Sequence, residues 1–167
     1  HVNGTINYQA VNSCIQFVSM LEGKVVRTVE SLKAPDGRLH PVQQAMAEEH
    51  GSQCGFCTPG FVMSIYVAYI MEERVDADAA PDLLAGNLCR CTGYGPIAAA
   101  AERSKTYPLA DWDSKFLMTD KRWAIESLND ERVDFHHVDQ RFISPVSADD
   151  LAEVYANIPK ATLVGGA

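Results

Sequence analysis

The chain has 167 residues, 47% of them hydrophobic, and a formal charge of −8 from 14 Lys and Arg against 22 Asp and Glu. That charge argues against a nucleic-acid or anionic-membrane partner. The longest apolar stretch, residues 61–71, has 11 residues, against the roughly 20 that span a bilayer. No charged-then-apolar leader follows His1, so a soluble, cytoplasmic protein without a membrane partner is expected.

Residues 1–31 read as short extended pieces. Ile6, Tyr8 and Ala10 alternate with polar neighbours, and residues 24–30 are β-branched-rich after a Glu22-Gly23 turn. A short helix is expected between them, in CIQFVSML. Pro35, Asp36 and Gly37 mark a loop. Four helical pieces then follow. The first opens with Pro41 and ends near Gly51. The second is PGFVMSIYVAYIMEER, with Thr58 as N-cap and Pro59 just inside. The third is DLLAGNL, and the fourth is GPIAAAAERSK. Between Thr106 and Ile143 the period is lost, and Trp112, Trp123 and Phe135 mark an ordered linker. Ser147 then caps a helix with Leu151, Val154 and Tyr155 on one face, and ATLVGGA reads as a strand entering a glycine turn.

Of the five cysteines, Cys54 and Cys57 form C-x-x-C, and Cys89 and Cys91 form C-x-C; Cys14 stands alone. A zinc ribbon repeats C-x-x-C with a shorter spacer of roughly 15–20 residues. A redox dithiol needs one pair in a βαβ setting. Four thiolates around two irons need no fixed repeat, and spacing favours that reading without closing the other two. Each pair sits just ahead of a predicted helix N-terminus, where free N–H groups and the positive dipole end suit an anionic cluster. Gly55 and Gly93 serve either turn geometry or N–H···S approach. His136 and His137 are adjacent and would diverge on a strand or a helix, and His50 reads as a helix-end partner, so no histidine metal site is expected. His40 is not expected to bind metal either. No G-x-S-x-G, P-loop or H-E-x-x-H is present, and no residue on this chain is expected to break C–H bonds.

HGSQCGFCTPGFVMS and GNLCRCTGYGPI closely resemble the helical [2Fe–2S] domain of the xanthine dehydrogenase/aldehyde oxidase family of molybdenum hydroxylases. The resemblance covers residues 1–107. It implies that Cys54, Cys57, Cys89 and Cys91 hold one [2Fe–2S] cluster in a four-helix bundle, with Gln53 and Cys91 against a molybdopterin cofactor on a partner chain. The plainer reading of Gln53 is a helix-end hydrogen bond. AVNSCIQF resembles the segment with the fourth ligand of a second, plant-type [2Fe–2S] cluster, which makes Cys14 a ligand whose three companions lie outside this sequence. ATLVGGA resembles the first FAD-holding loop of the same family and implies FAD contacts from Leu163, Val164, Gly165, Gly166 and Ala167.

The resemblance implies a mainly α chain in four parts. Residues 1–32 are the end of a plant-type ferredoxin (β-grasp) domain, and 33–107 the four-helix [2Fe–2S] domain. Residues 108–142 are a linker, and 143–167 the start of an α+β FAD-binding domain. The sequence thus reads as a piece of a longer iron–sulfur/FAD chain like the small subunits of bacterial xanthine dehydrogenases. Such a subunit implies a molybdopterin-binding large subunit, a higher hetero-oligomer, and electron transfer to FAD and NAD in the oxidation of hypoxanthine and xanthine to urate. The alternatives are the iron–sulfur subunit of an aldehyde or N-heterocycle oxidoreductase, and a metal-stabilised interaction module without redox turnover.

Overall fold

The structure, a computed structural model, describes residues 6–73, 75, 76, 78–126 and 131–165. Two compact units are present: His1–Asn12 with Arg27–Lys121, and Ser13–Val26 with Arg122–Ala167. Among the described residues no helix is long and apolar enough to cross a membrane.

The first unit is helical. α1 (Pro41–Glu48), α2 (Thr58–Ile70), α3 (Ala80–Leu84) and α4 (Gly95–Ser104) pack together, α1 against α4 and α2, and α3 against α2 and α4. α2 is apolar all round, and its Phe61, Val62, Ile65, Tyr66, Ala68 and Tyr69 are buried, which marks it as the central helix. Leu32, Val42, Met46, Leu84, Ile97 and Ala100 close on it. Both of the first two helices end in a left-handed residue that turns the chain back. His50 (φ 54) follows α1, with the Gly51 N–H on the Met46 carbonyl at 2.9 Å and the His50 N–H on that of Ala47. Glu72 (φ 54) follows α2, with the Glu73 N–H on the Ala68 carbonyl. This is the usual closure for helix-end carbonyls, built on His and Glu where glycine is the common choice. His50 therefore sits at a helix end as expected, one residue ahead of the expected Gly51.

α5 (Asp113–Glu126) departs from the sequence reading, which gave residues 108–142 no regular element. Its inward face, Asp113, Phe116 and Asp120, lies at helical spacing but carries two carboxylates, so no apolar stripe shows in the sequence. Each carboxylate is paired. Asp120 accepts from Arg27 Nη2 at 2.7 Å, Arg27 Nε at 3.0 Å and the Tyr8 hydroxyl at 2.9 Å, and the Arg27 guanidinium lies over the Phe116 ring. Asp113 accepts from His40 Nε2 at 2.9 Å. His40 is fully buried and caps α1: its Nδ1 accepts the Val42 N–H, so the ring proton sits on Nε2 and points at Asp113. The rings of Tyr66, Tyr69 and Trp112 meet the His40 imidazole edge-on at 5.1, 4.9 and 6.1 Å. Among the described residues no buried side-chain N or O lacks a partner.

The expected strands at 6–10 and 24–30 are not formed. The described residues 6–12 and 24–28 carry no ladder, and single 3₁₀ turns occupy Val18–Leu21 and Val29–Leu32. Val25 and Val26 are exposed, and β-branched composition makes a strand only when a neighbour supplies the hydrogen bonds. The second unit holds an antiparallel hairpin of β1 (Val133–His137) and β2 (Gln140–Ser144), in which Phe135 pairs with Phe142. Asp134 and Arg141 join across it in a bidentate pair, at 2.8 and 2.6 Å. α6 (Ala148–Asn157) follows, and its Ser147 cap accepts the Asp150 N–H at 3.1 Å as the sequence predicts. Residues 161–165 do not form the expected strand, and Leu163 and Val164 are exposed. Gly166 and Ala167 lie outside the described residues.

Candidate metal centre

Two loops carry the four paired cysteines, and each loop feeds a helix. The first, residues 52–57, is closed by a 2.7 Å hydrogen bond between the Ser52 and Thr58 hydroxyls. Cys57 occupies the N-cap of α2, the place expected for Thr58, and its carbonyl accepts the Phe61 N–H. The second loop runs from Asn87 to Tyr94. Asn87 Nδ2 donates to Ser64 Oγ at 2.8 Å, and its Oδ1 lies where a Cβ on Gly60 would stand, so Gly60 lets the second loop press against α2. Tyr94 caps α4 in a left-handed conformation (φ 69), its ring edge meets Phe61, and its hydroxyl accepts the Cys89 N–H at 2.9 Å.

The fold brings Cys54, Cys57, Cys89 and Cys91 together as free thiols. Cys91 Sγ donates to Cys54 Sγ at 3.5 Å across 37 positions of sequence. Cys57 stands close enough to Cys89 for each thiol to shift the other. Two thiolates on one tetrahedral metal at about 2.3 Å stand about 3.8 Å apart, close to the separation seen. Among the described residues no three Cys, His, Asp or Glu side chains gather round a single point. Four thiols from two loops, with Cys91 against Cys54 and Cys57 beside Cys89, fit a core of two irons that each take two thiolates.

The environment separates the four thiols. Cys89 is buried and its thiol is drawn down to about 7, first by the Thr92 hydroxyl and then by the Thr92 and Cys91 N–H groups. Desolvation pushes Cys57 up to about 11, helped by the neighbouring Cys89 thiol. The Phe56 backbone N–H lowers Cys54, and the bond to Cys54 raises Cys91. N–H···S donors therefore come from Phe56, Cys91 and Thr92. Gly55 (φ 86) and Gly93 (φ 70) are needed for their left-handed turns, and no protein atom lies within 4 Å of a Cβ built on either. Apolar side chains flank the sulfurs on the outside, with Phe56 93% and Leu88 85% exposed.

Gln53 is exposed beside Cys54. Cys14 belongs to the second unit, where it is exposed in a turn at residues 13–15. His136 and His137 are successive residues of β1 and are both exposed. The sequence reading missed Asn87, Thr92 and Tyr94. A small polar residue and a tyrosine around a C-x-C turn were the available signals, but both are equally common in plain turns.

Residues 28–102 match the family described as [2Fe-2S] binding domain. Aldehyde oxidase 1 of Oryctolagus cuniculus is 48% identical over 99 residues, which cover 59% of this chain and 7% of that protein. Xanthine dehydrogenase of Drosophila subobscura is 49% identical over 92 residues, covering 55% and 7%. The family match falls within the unit that carries the four paired cysteines. The crystal structure of quinoline 2-oxidoreductase from Pseudomonas putida 86 is similar as well, with 31% identity and a TM-score of 0.50 over 57% of this chain and 62% of that one. The chain spans only 7% of the length of the first two relatives, so their whole-protein activities reach well beyond the matched segment.

Proposed function

We propose that Cys54, Cys57, Cys89 and Cys91 hold one [2Fe–2S] cluster and that the chain is the electron-transfer part of a molybdenum hydroxylase. The observation that carries this is the convergence of four free thiols from two loops that lead into α2 and α4, with Cys91 Sγ on Cys54 Sγ at 3.5 Å across 37 positions of sequence. Such a cluster accepts and returns one electron at a time. The chain's own part is to hold the sulfurs in place and to set their surroundings. Asn87 and Tyr94 fix the second loop against α2 and α4, and the N–H groups of Phe56, Cys91 and Thr92 partly neutralise thiolate charge.

The finer reading rests on sequence resemblance. Cys14 would be one ligand of a second, plant-type cluster completed by cysteines elsewhere in the protein. Gln53 and Cys91 would face a molybdopterin on a partner subunit, and residues 163–167 would contribute to an FAD site. The assembly would be a cytoplasmic hetero-oligomer that oxidises hypoxanthine and xanthine with NAD as acceptor. A second reading is an aldehyde oxidoreductase, to which the 48% identity to an aldehyde oxidase lends the same support as the 49% identity to a xanthine dehydrogenase lends the first. Purification of the intact protein with its natural partners, followed by assay for iron, molybdenum and flavin and by turnover of xanthine against an aromatic aldehyde, tests both. Xanthine turnover with NAD supports the first, aldehyde turnover alone the second, and zinc without iron removes both.

A further inference from the structure

Three donors converge on a single sulfur. Cys89 Sγ accepts from the backbone N–H of Cys91 at 3.4 Å and of Thr92 at 3.5 Å, and Thr92 Oγ1 lies 3.3 Å from it. The sense of the third contact is fixed once Cys89 is a thiolate, which has no hydrogen to give, so the hydroxyl donates to it. Thr92 Oγ1 also accepts the Tyr94 N–H at 3.2 Å, which holds the hydroxyl in place. Cys89 is 6% exposed and Thr92 is half-buried, so water competes poorly for that hydrogen. Cys91 is placed differently: its thiol is exposed and is itself the donor, to Cys54.

Resting on the reading of the four cysteines as cluster ligands, we propose that Thr92 is a positioning residue whose side-chain O–H holds the Cys89 thiolate and raises the reduction potential of the cluster. Reduction adds one electron, moves no proton and breaks no bond. The extra negative charge spreads onto the sulfurs, so an O–H aimed at one of them stabilises the reduced state more than the oxidised. The same hydroxyl ties the sulfur to the first turn of α4 through Tyr94, which fixes where the donor points.

The test is a potentiometric titration of the intact, cluster-loaded protein, with dithionite as electron donor and electron paramagnetic resonance as readout. Thr92→Val is expected to lower the midpoint potential at unchanged iron and sulfide content. Thr92→Ser, which keeps the hydroxyl, should return it to the wild-type value. Tyr94→Phe frees the Cys89 N–H but keeps every donor to the sulfur, and should shift the potential less than Thr92→Val. A Thr92→Val protein with full iron and the wild-type potential overturns the proposal. So does a Tyr94→Phe shift as large as that of Thr92→Val, because a slackened loop would then be the cause. The wild-type protein gives a second reading if Thr92→Val fails to assemble. A cold exchange into D₂O lasting seconds replaces hydroxyl hydrogens ahead of hydrogen-bonded amides, and the Fe–S(Cys) stretching bands should shift; unmoved bands overturn the proposal. Metal analysis separates the two levels, since zinc in place of iron removes the cluster reading itself, whereas iron with an unmoved potential removes only the role of Thr92.

Discussion

Helix α2 serves two polar clusters of opposite character. At its N-terminus, Cys57 caps the helix beside three other thiols, two of them exposed. Nine residues on, about 13 Å along the axis, Tyr66 and then Tyr69 meet His40, Trp112 and Asp113, all buried. In the second cluster each polar atom already has its partner. His40 Nε2 has Asp113, the Tyr69 hydroxyl accepts the Ala110 N–H at 3.0 Å, and Trp112 Nε1 donates to the Leu32 carbonyl at 3.0 Å. The thiols are held loosely, by a 3.5 Å contact between Cys91 and Cys54 and by backbone and hydroxyl donors at 3.3–3.5 Å from Cys89. A buried polar group closed on itself specifies a fold; sulfurs held this weakly keep lone pairs for a metal.

The sharpest way to break this contrast is to remove one partner from the dry cluster. His40→Ala leaves the buried Asp113 carboxylate with the long 3.5 Å bond from the Tyr66 hydroxyl in place of the 2.9 Å bond from His40, and should cost about 3–5 kcal/mol in urea unfolding of the metal-free protein. Cys89→Ser should cost under about 1 kcal/mol in the same measurement, because it trades one small side chain for another, yet lose the iron. Equal losses from the two would erase the distinction. Trp112→Phe, which orphans the Leu32 carbonyl, should cost about 1–2 kcal/mol with iron per folded chain unchanged. Gly60→Ala forces a Cβ onto Asn87 and should cost about 1 kcal/mol or more, and Asn87→Ala in the same chain should recover part of it. Additive costs in that double-mutant cycle would show that the second loop does not rest on α2.

The smallest effect is in pH. Cys89 titrates at about 7 against the ordinary 9.0, so its contribution to metal-free stability is present above 9 and lost as pH falls through 7. Cys57 is raised to about 11, so its contribution is present below 9 and lost as pH rises through 11. Metal-free stability should therefore pass through a shallow maximum near pH 9, and Cys57→Ser should flatten the decline between pH 9 and 10, above which the raised Tyr8, Tyr66 and Tyr69 hydroxyls add their own.

The thiol end was legible in the sequence because its chemistry is local. Cys54 and Cys57, then Cys89 and Cys91, declare themselves by spacing, and Pro59 and Pro96 mark the helices they precede. The dry end was not, because its contacts are long-range: His40 and Asp113 are 73 positions apart, Trp112 and Leu32 80. α5 was hidden for a related reason. Asp113 and Asp120 face inward, so its helical period is carried by carboxylates that a hydropathy reading assigns to solvent. In the opposite direction, Val25 and Val26 looked like strand but lie exposed without a ladder. The Ser147 cap of α6 was read correctly because a cap is settled within four residues.

The most direct measurement is iron and acid-labile sulfide per chain in the intact protein, before and after Cys57→Ala combined with Cys91→Ala. Loss of about two irons and two sulfides is the expected result. Unchanged iron and sulfide in the double variant, or zinc without sulfide in the wild type, would contradict a shared diiron core at these four thiols.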